Sequence, residues 1–466
     1  MTRRPDAHYL ALAAVCIGAF MGQLDASIVT VAFPTFQRTF HASVGLVTWV
    51  GLSYLLVLVT LVTGAGRVSD ISGRKLIYLF GVVVFVAGSA LCGLAGGLDA
   101  LIGFRVLQGV GAAMIQANSV AIIVLAVPRR ALGRAIGIQG AAQGLGLAMG
   151  PTIGGLLVGL GGWRWIFLVN VPAGIVALAM GWFFLPRSRD LQPGAPFDWL
   201  GLGLFAPAVG ALVCVVSLGD VLGWSSLSIA TLAVIALVGG ALFVRWERRT
   251  PSPMLDLSLF SQVSFSAGIA SGLLSYIVLF GSLFAVPFFL ERGLGMSVGR
   301  AGLVLAAMPI SLGLTAPFAG RAAERLGARP LTVAGMLISA ASLILLAAAH
   351  GSPGPVVVDL IVLGASLGLF TPANNAAIMG SAPSRHAGVA SGVLNMTRGL
   401  GTAMGLALSS LVLGAFAPTE GASVADVTRG FEATVVVLAG IAVTAASVAL
   451  LRTSAPLVLD PLGTAE

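Results

Sequence analysis

Fourteen apolar stretches, most of about 20 residues or more, run the length of the chain, and charged residues fall almost wholly between them. They lie at about 10–33, 46–66, 76–97, 99–126, 134–160, 165–185, 198–218, 228–245, 265–290, 300–319, 330–349, 355–380, 387–415 and 430–451. Such a stretch crosses a bilayer as a helix, because lipid offers no partner to a backbone that is not internally hydrogen-bonded. Of the 466 residues, 58% are hydrophobic and 9% are charged, whereas a soluble domain carries about 25% charged residues. Fourteen helices use roughly 280 residues and leave about twelve for each loop and tail, too few for a separate soluble domain. The expected fold class is therefore an all-α polytopic membrane protein. Soluble enzymes and nucleic-acid-binding proteins are excluded, and the lipid bilayer is the one extended partner expected.

The net charge of +8 reads as loop asymmetry rather than as affinity for a soluble anion. With the amino terminus inside, eighteen basic residues fall on the inner side, among them Arg67, Arg74, Lys75, Arg129, Arg245, Arg248, Arg249, Arg321 and Arg452. Five (Arg38, Arg164, Arg292, Arg300 and Arg429) fall opposite, and Arg105 and Arg398 lie within spans. Basic loops stay cytoplasmic, so both termini are expected in the cytoplasm, in a cytoplasmic membrane. An odd number of spans would scramble this segregation. Arg3 and Arg4 precede an apolar run with no small-residue cleavage site, which reads as an uncleaved first span. Cys16, Cys92 and Cys214 are scattered through apolar runs and His8, His41, His350 and His386 show no ligand spacing, so neither metal nor cofactor is expected.

An internal repeat organises the chain. Residues 133–150 read GRAIGIQGAAQGLGLAMG and residues 388–405 read GVASGVLNMTRGLGTAMG, identical at nine of eighteen positions. The same offset of 255 pairs Gly109 with Gly364, and an offset of 254 pairs the run from Gly66 to Asp70 with that from Gly320 to Glu324, and Gly73 with Gly327. Spans 2–5 thus match spans 10–13. The expected domains are a six-helix bundle over 1–190 (spans 1–6), an inserted pair over 191–260 (spans 7 and 8) and a second six-helix bundle over 261–466 (spans 9–14). Parallel repeats of this kind imply a transporter with its site near the midplane.

Four stretches carry candidate chemistry. The loop after span 2 reads Gly66-Arg-Val-Ser-Asp70-Ile-Ser-Gly73-Arg74-Lys75; Asp70 at a span end can pair with a helix amino terminus or an arginine and gate one side, or simply belong to a topology-setting cluster. Span 4 reads Leu101-Ile-Gly-Phe-Arg105-Val-Leu-Gln108-Gly109-Val-Gly111-Ala-Ala. An arginine inside a span is costly unless it faces a cavity or a partner, and a structural arginine bonded to backbone is the other reading. Span 5 holds Gly146-Leu-Ala-Met-Gly150-Pro151-Thr-Ile-Gly154-Gly155, glycines that admit close helix approach beside a bending proline. Span 1 contains Asp25, the clearest intramembrane acid; apolar surroundings disfavour a bare carboxylate, so Asp25 either loads and releases a proton or is satisfied structurally.

These stretches together resemble the fourteen-span drug:proton antiporters of the major facilitator superfamily, over nearly the whole chain. Ile71 stands where that family's loop motif has arginine, and Thr30 where its first span usually has asparagine. The resemblance implies two six-helix bundles plus two inserted helices, proton coupling through Asp25 and Arg105, and cytoplasmic gating by Gly66, Asp70, Gly73, Arg74, Lys75 and Glu324. It also implies an antiporter hinge at Gly146, Gly150, Pro151, Gly154 and Gly155. In span 13, Ser391, Asn395, Arg398 and Thr402 form a polar stripe that should face the bundle interior or water. With Gln108, Gln143, Trp49, Tyr54 and Tyr276, Asn395 and Arg398 are candidate walls of a substrate cavity.

The expected function is proton-coupled export of lipophilic or amphipathic drug-like molecules by a monomer, with export of a specific metabolite, lipid or self-made antibiotic as the alternative. The chain lacks the Pro-Glu-Ser-Pro-Arg run of sugar porters after span 6. It also shows no nucleophile, base or metal cluster that would suit a membrane-embedded enzyme.

Overall fold

The computed structural model describes residues 7–127, 132–186, 198–251, 253–255, 257–348, 352–381, 387–418 and 421–452. Within them lie fourteen helices long and apolar enough to cross a membrane. Spans 1–6 are His8–Phe40, Val44–Ser69, Arg74–Gly93, Leu98–Ala126, Ile138–Gly161 and Trp165–Phe184; spans 7 and 8 are Trp199–Gly219 and Leu227–Glu247. Spans 9–14 are Val263–Gly293, Val298–Ala323, Ala328–Ala347, Pro353–Ser381, Gly392–Phe416 and Val424–Leu450. Their outer surfaces carry bare large apolar side chains, Leu160, Phe183, Leu237 and Leu314 among them. A surface so apolar is stable only against lipid.

Prolines interrupt the spans at defined places. Pro34 cannot donate to the carbonyl a turn earlier, and span 1 passes there through a 3₁₀ turn over Thr30–Ala32 before resuming at Phe33. Pro309 has the same effect in span 10, which breaks between Leu305 and Ala307. Span 9 contains Pro287 and finishes in a π-helical turn over Phe289–Gly293.

The chain divides by packing into two compact units. The first comprises Met1–Met254, Leu283–Ala306 and Leu406–Phe431; the second comprises Leu255–Ser282, Ala307–Gly405 and Glu432–Glu466. These do not coincide with the expected segments 1–190, 191–260 and 261–466. Residues 283–306 and 406–431, which belong to the second bundle by sequence, pack into the first unit through side-chain contacts described below. Spans 7 and 8 also belong to the first unit: they pair with each other and attach mainly through span 2. Gly64 of span 2 lies against Leu202 there, close enough that an added Cβ would come within 2.9 Å of it. Only 11% of span 8's apolar window is buried, so this helix lies almost entirely on the outer surface of the first unit.

The repeat shows in the packing of each unit. In the first, Gly146 and Gly150 of span 5 sit on the backbone of Phe20 and Ile28 in span 1; in the second, Gly401 and Gly405 of span 13 sit on Leu273 and Gly281 in span 9. Gly73 and Gly327, paired by the repeat, both take positive φ (103° and 80°) and both donate a backbone N–H to the preceding helix, to Ser69 and Ala323. A side chain at either position would strain that turn.

Candidate functional site

Five spans of the first unit converge on one carboxylate. Asp25, fully buried, accepts from Arg105 Nη1 at 2.5 Å on one oxygen and from Gln108 Nε2 (2.9 Å) and Asn170 Nδ2 (3.0 Å) on the other. Arg105 and Gln108 stand three residues apart on span 4, so both project from one face. The arginine is completed by Nε to the Val50 carbonyl (2.8 Å), Nη1 to Gln108 Oε1 (2.7 Å) and the Tyr54 ring 4.2 Å beneath its guanidinium. Ser89 of span 3 accepts from Gln108 Nε2 (3.0 Å) and Asn170 Nδ2 (3.1 Å) and donates to the Phe167 carbonyl (2.9 Å). Glycines make the approach possible: a Cβ at Gly88 would come within 2.8 Å of the Gln108 backbone, and one at Gly109 within 2.8 Å of the Tyr54 carbonyl.

Buried charges persist only when paired and hydrogen-bonded, and here both conditions are met. The arrangement can respond to one proton. A protonated Asp25 would no longer neutralise Arg105, and the guanidinium would need a new partner or access to water.

Tyr54 has a second side. It forms part of the wall of a small cleft of about 20 Å³ within the first unit, shared with Gln23, Phe85, Gln116, Ser119 and Gln143. Tyr54 and Gln143 are among its lining residues. Gln108, expected beside them, is instead fully buried within the Asp25 network, because its i, i+3 spacing from Arg105 turns it to the carboxylate. Trp49 lies on span 2 and is not on the cleft wall.

A third cluster closes the face of the first unit that bears the loop between spans 1 and 2. Arg38 pairs with Glu291 at 2.8 Å, Arg292 donates to Gln37 at 2.6 Å, and Gln37 donates to the Pro418 carbonyl at 3.3 Å. Beneath them Phe33 meets Phe284 with ring centroids 5.0 Å apart, and Thr48 donates to Ser410 at 2.9 Å. Gly155 of span 5 abuts span 10: a Cβ there would lie 2.9 Å from the Val298 carbonyl and 3.0 Å from Gly302 Cα. The glycine element therefore has two contacts, Gly146, Gly150 and Gly154 against span 1 and Gly155 against span 10, with Pro151 between them.

The other expected residues are dispersed. Lys75 Nζ donates to the carbonyls of Trp182 (2.6 Å) and Leu185 (2.8 Å), capping the end of span 6 from the start of span 3. Gly66 has Ala117 as its nearest neighbour, and Arg74 opens span 3. The side chains of Asp70, Glu324 and Ser391 lie outside the described residues. In the second unit, Arg398 stands 6.0 Å from the Tyr276 ring and 3.5 Å from Asn395 Oδ1, which brings those three together. Sequence reading missed Ser89, which accepts from the two carboxamides that hold Asp25, and it treated Arg38 and Arg292 as topology charges only. Glu291 was also missed; the one signal for it is that it is an acid directly after the apolar run of span 9.

Comparison with known proteins agrees with this architecture. The sequence matches the family model of the Major Facilitator Superfamily over residues 15–268 and 268–465. The chain belongs to that superfamily. Among its superfamily relatives, Multidrug resistance protein Stp of Mycobacterium tuberculosis is 37% identical over 410 residues, covering 87% of this chain and 76% of that protein. The Riboflavin transporter RibZ of Clostridioides difficile is 33% identical over 86% of this chain and 87% of its own. The Tetracenomycin C resistance and export protein of Streptomyces glaucescens is 33% identical over 86% and 75%. A crystal structure of a bacterial homologue of the human lysosomal transporter Spinster, inward-facing and unoccupied, aligns over 96% of this chain and 97% of its own, with TM-score 0.71 and 18% identity. The chain is thus a superfamily transporter whose relatives include multidrug and antibiotic resistance proteins.

Proposed function

We propose that this transporter is a proton-coupled antiporter exporting lipophilic or amphipathic drug-like compounds from the cytoplasm by alternating access. It works as a monomer in the cytoplasmic membrane, with both termini inside, without a resident cofactor and without enzymatic activity. The observation that carries the reading is the Asp25–Arg105 pair, an acid and a base at zero and 1% exposure inside a membrane protein where each would otherwise be costly. Deprotonated Asp25 neutralises Arg105; a proton on Asp25 releases it, and the two protonation states favour different packings of the surrounding spans. In this orientation the face sealed by Arg38 and Glu291 is the external one, and its opening admits the proton and releases cargo. Each proton entering down a membrane potential of 100 mV supplies about 2.3 kcal/mol. The relatives named for multidrug resistance and for tetracenomycin C export support efflux of aromatic, drug-like cargo. The riboflavin-transporting relative supports a second reading, the same mechanism serving one metabolite.

The test is purified protein in liposomes with an imposed pH gradient and an internal pH dye. Lipophilic monocations, neutral amphiphiles and acidic aromatics are added in turn, to wild type and to Asp25→Asn. Cargo-triggered proton flux that disappears in the variant is expected. Flux of unchanged size in Asp25→Asn would remove Asp25 from the proton path.

A further inference from the structure

Span 8 ends in a basic groove. It has a volume of about 630 Å³ and is lined by Gly240, Ala241, Val244, Arg245, Arg248 and Arg249. Residues four apart stack on one helix face, so two rows run along it, one of Gly240, Val244 and Arg248 and one of Ala241, Arg245 and Arg249. The backbone N–H groups of Arg248 and Arg249 donate to the Val244 and Trp246 carbonyls at 3.2 and 2.8 Å, which carries the turn on through the arginines. Gly240 and Ala241 have no bulk, and a Cβ at Gly240 would meet nothing within 4 Å. Among the described residues, no hydrogen bond or ion pair joins the three guanidiniums to the protein. The described acids of this end, Asp198 and Glu247, are buried and turned toward Gly201 of span 7, whereas the three arginines are exposed. Trp246 donates Nε1 to Asp198 Oδ1 at 2.7 Å, and Trp199 is half exposed. Indoles settle at the headgroup level of a bilayer, which sets the depth of the arginines beside them.

We infer that this groove binds an anionic phospholipid, its phosphate held by Arg245, Arg248 and Arg249 and an acyl chain lying over Gly240 and Ala241. A guanidinium presents a planar fork of N–H donors that matches two phosphate oxygens at once, and three guanidiniums with no protein acceptor leave that capacity open. Span 8 lies on the outer surface of the first unit with 11% of its apolar window buried, and its bare Leu237 and Val238 bring lipid chains alongside. The groove is thus apolar where an acyl chain runs and cationic where a headgroup begins, the order in which a phospholipid presents them. Basic excess alone orients loops, and any exposed basic residue serves that purpose. The cleared rows beneath the arginines are what topology does not need. Charge at the membrane surface attracts anionic lipid with a gain of about fivefold per arginine. A bound lipid gives the inserted pair, which attaches to the first unit mainly through span 2, a second attachment, to the bilayer itself. In the orientation proposed above this lipid belongs to the cytoplasmic leaflet, and the site stands whatever the cargo is.

The experiment is native mass spectrometry of the purified full-length protein in detergent micelles, titrated with dioleoyl phosphatidylglycerol (anionic) or dioleoyl phosphatidylcholine (zwitterionic). Phosphatidylglycerol is expected to be retained about tenfold more tightly than phosphatidylcholine. Arg245→Gln, Arg248→Gln and Arg249→Gln should each weaken phosphatidylglycerol about fivefold, and Gly240→Leu, which fills the chain row without touching charge, by a similar factor. Replacing all three arginines by lysine keeps charge and topology but removes the fork, and should weaken it about fivefold as well. Arg321→Gln, an exposed arginine of span 10 outside the groove, should leave it unchanged, and excess inorganic phosphate should not displace it. Unchanged circular dichroism and unchanged phosphatidylcholine retention confirm that each variant is folded. Equal retention of the two lipids, a preference that survives the triple glutamine variant or Gly240→Leu, or displacement by inorganic phosphate alone would overturn the inference. A loss in Arg321→Gln as large as in the groove variants would overturn it too, by assigning the preference to basic charge at large.

Discussion

Replacing Asp25 by alanine isolates what the buried pair contributes. The substitution removes the acceptor of three hydrogen bonds, from Arg105, Gln108 and Asn170, and leaves Arg105 cationic at 1% exposure. Stripping one partner from a buried ion pair costs about 3–5 kcal/mol. Arg105 keeps the Val50 carbonyl, Gln108 Oε1 and the Tyr54 ring, which places this case at the lower end, about 3 kcal/mol. Arg105→Leu strands the carboxylate with two amide donors and should cost a similar amount, about 3 kcal/mol. In the double variant neither charge remains. What is lost is the acceptor for two carboxamides, at about 1 kcal/mol each, and some packing, again about 3 kcal/mol in all. The sum of the singles exceeds the double by about 3 kcal/mol, the signature of a coupled unit. The assay is reversible unfolding in mixed detergent and SDS micelles, followed by circular dichroism, on wild type, both singles and the double. An interaction energy below about 0.5 kcal/mol would refute the reasoning, since it would mean that the two charges are satisfied independently.

Three further outcomes are expected. Arg38→Glu and Glu291→Arg should each reduce transport by breaking the 2.8 Å pair, and the charge-reversed double should regain at least half of it; a double no better than the singles would detach that pair from the seal. Gly155→Ala puts a Cβ 2.9 Å from the Val298 carbonyl, an overpacking worth about 1–3 kcal/mol, so cysteine labels below the seal should react about five- to a hundredfold faster; Gly144→Ala, with open space around it, should leave labelling unchanged. Arg452, 3% exposed and without a carboxylate partner among the described residues, has its guanidinium pushed down from its usual range to about 10 by burial. A base whose folded value is depressed holds fewer protons folded than unfolded above that value, so its burial costs stability below pH 10 and the cost fades as pH rises beyond it. Arg452→Met should therefore raise stability at pH 7 by about 1 kcal/mol in the same unfolding assay, and the gain should shrink above pH 10.

Span number was legible because the bilayer imposes one length on every helix, and the repeat was legible because its glycines are set by close helix contacts that recur in both units. Asp25 and Arg105 were legible singly, as charges where charges are expensive. Their pairing was not: it depends on which faces of spans 1 and 4 turn toward each other, and only three dimensions fix that. Gln108 misled for the same reason, since a polar residue on a span reads alike whether it lines a cleft or serves a buried carboxylate. Glu291 was passed over because it follows an apolar run like any loop-end acid. The π turn after Pro287 is what tucks it under Arg38. The packing units departed from chain order because span ends associate by side-chain contact rather than by sequence neighbourhood.

The repeat supplies an internal control on why the ion pair exists. Contacts of the span 5 and span 13 glycines align Phe20 with Leu273, Gln23 with Tyr276 and Ile28 with Gly281, which places Asp25 opposite Val278. The offset of 255 in span 4 places Arg105 opposite Leu360 and Gln108 opposite Leu363. Val278, Leu360 and Leu363 are all fully buried. One and the same arrangement of helices is thus filled by an acid, a base and an amide in the first half, and by three aliphatic side chains in the second. Apolar residues of similar volume serve such a site at least as well for stability, and the second half shows that this packing accepts them. Folding therefore does not require the charges of the first half. What they add, and what valine and leucine cannot, is a buried pair of opposite charges, and that pair is confined to one of the two repeats.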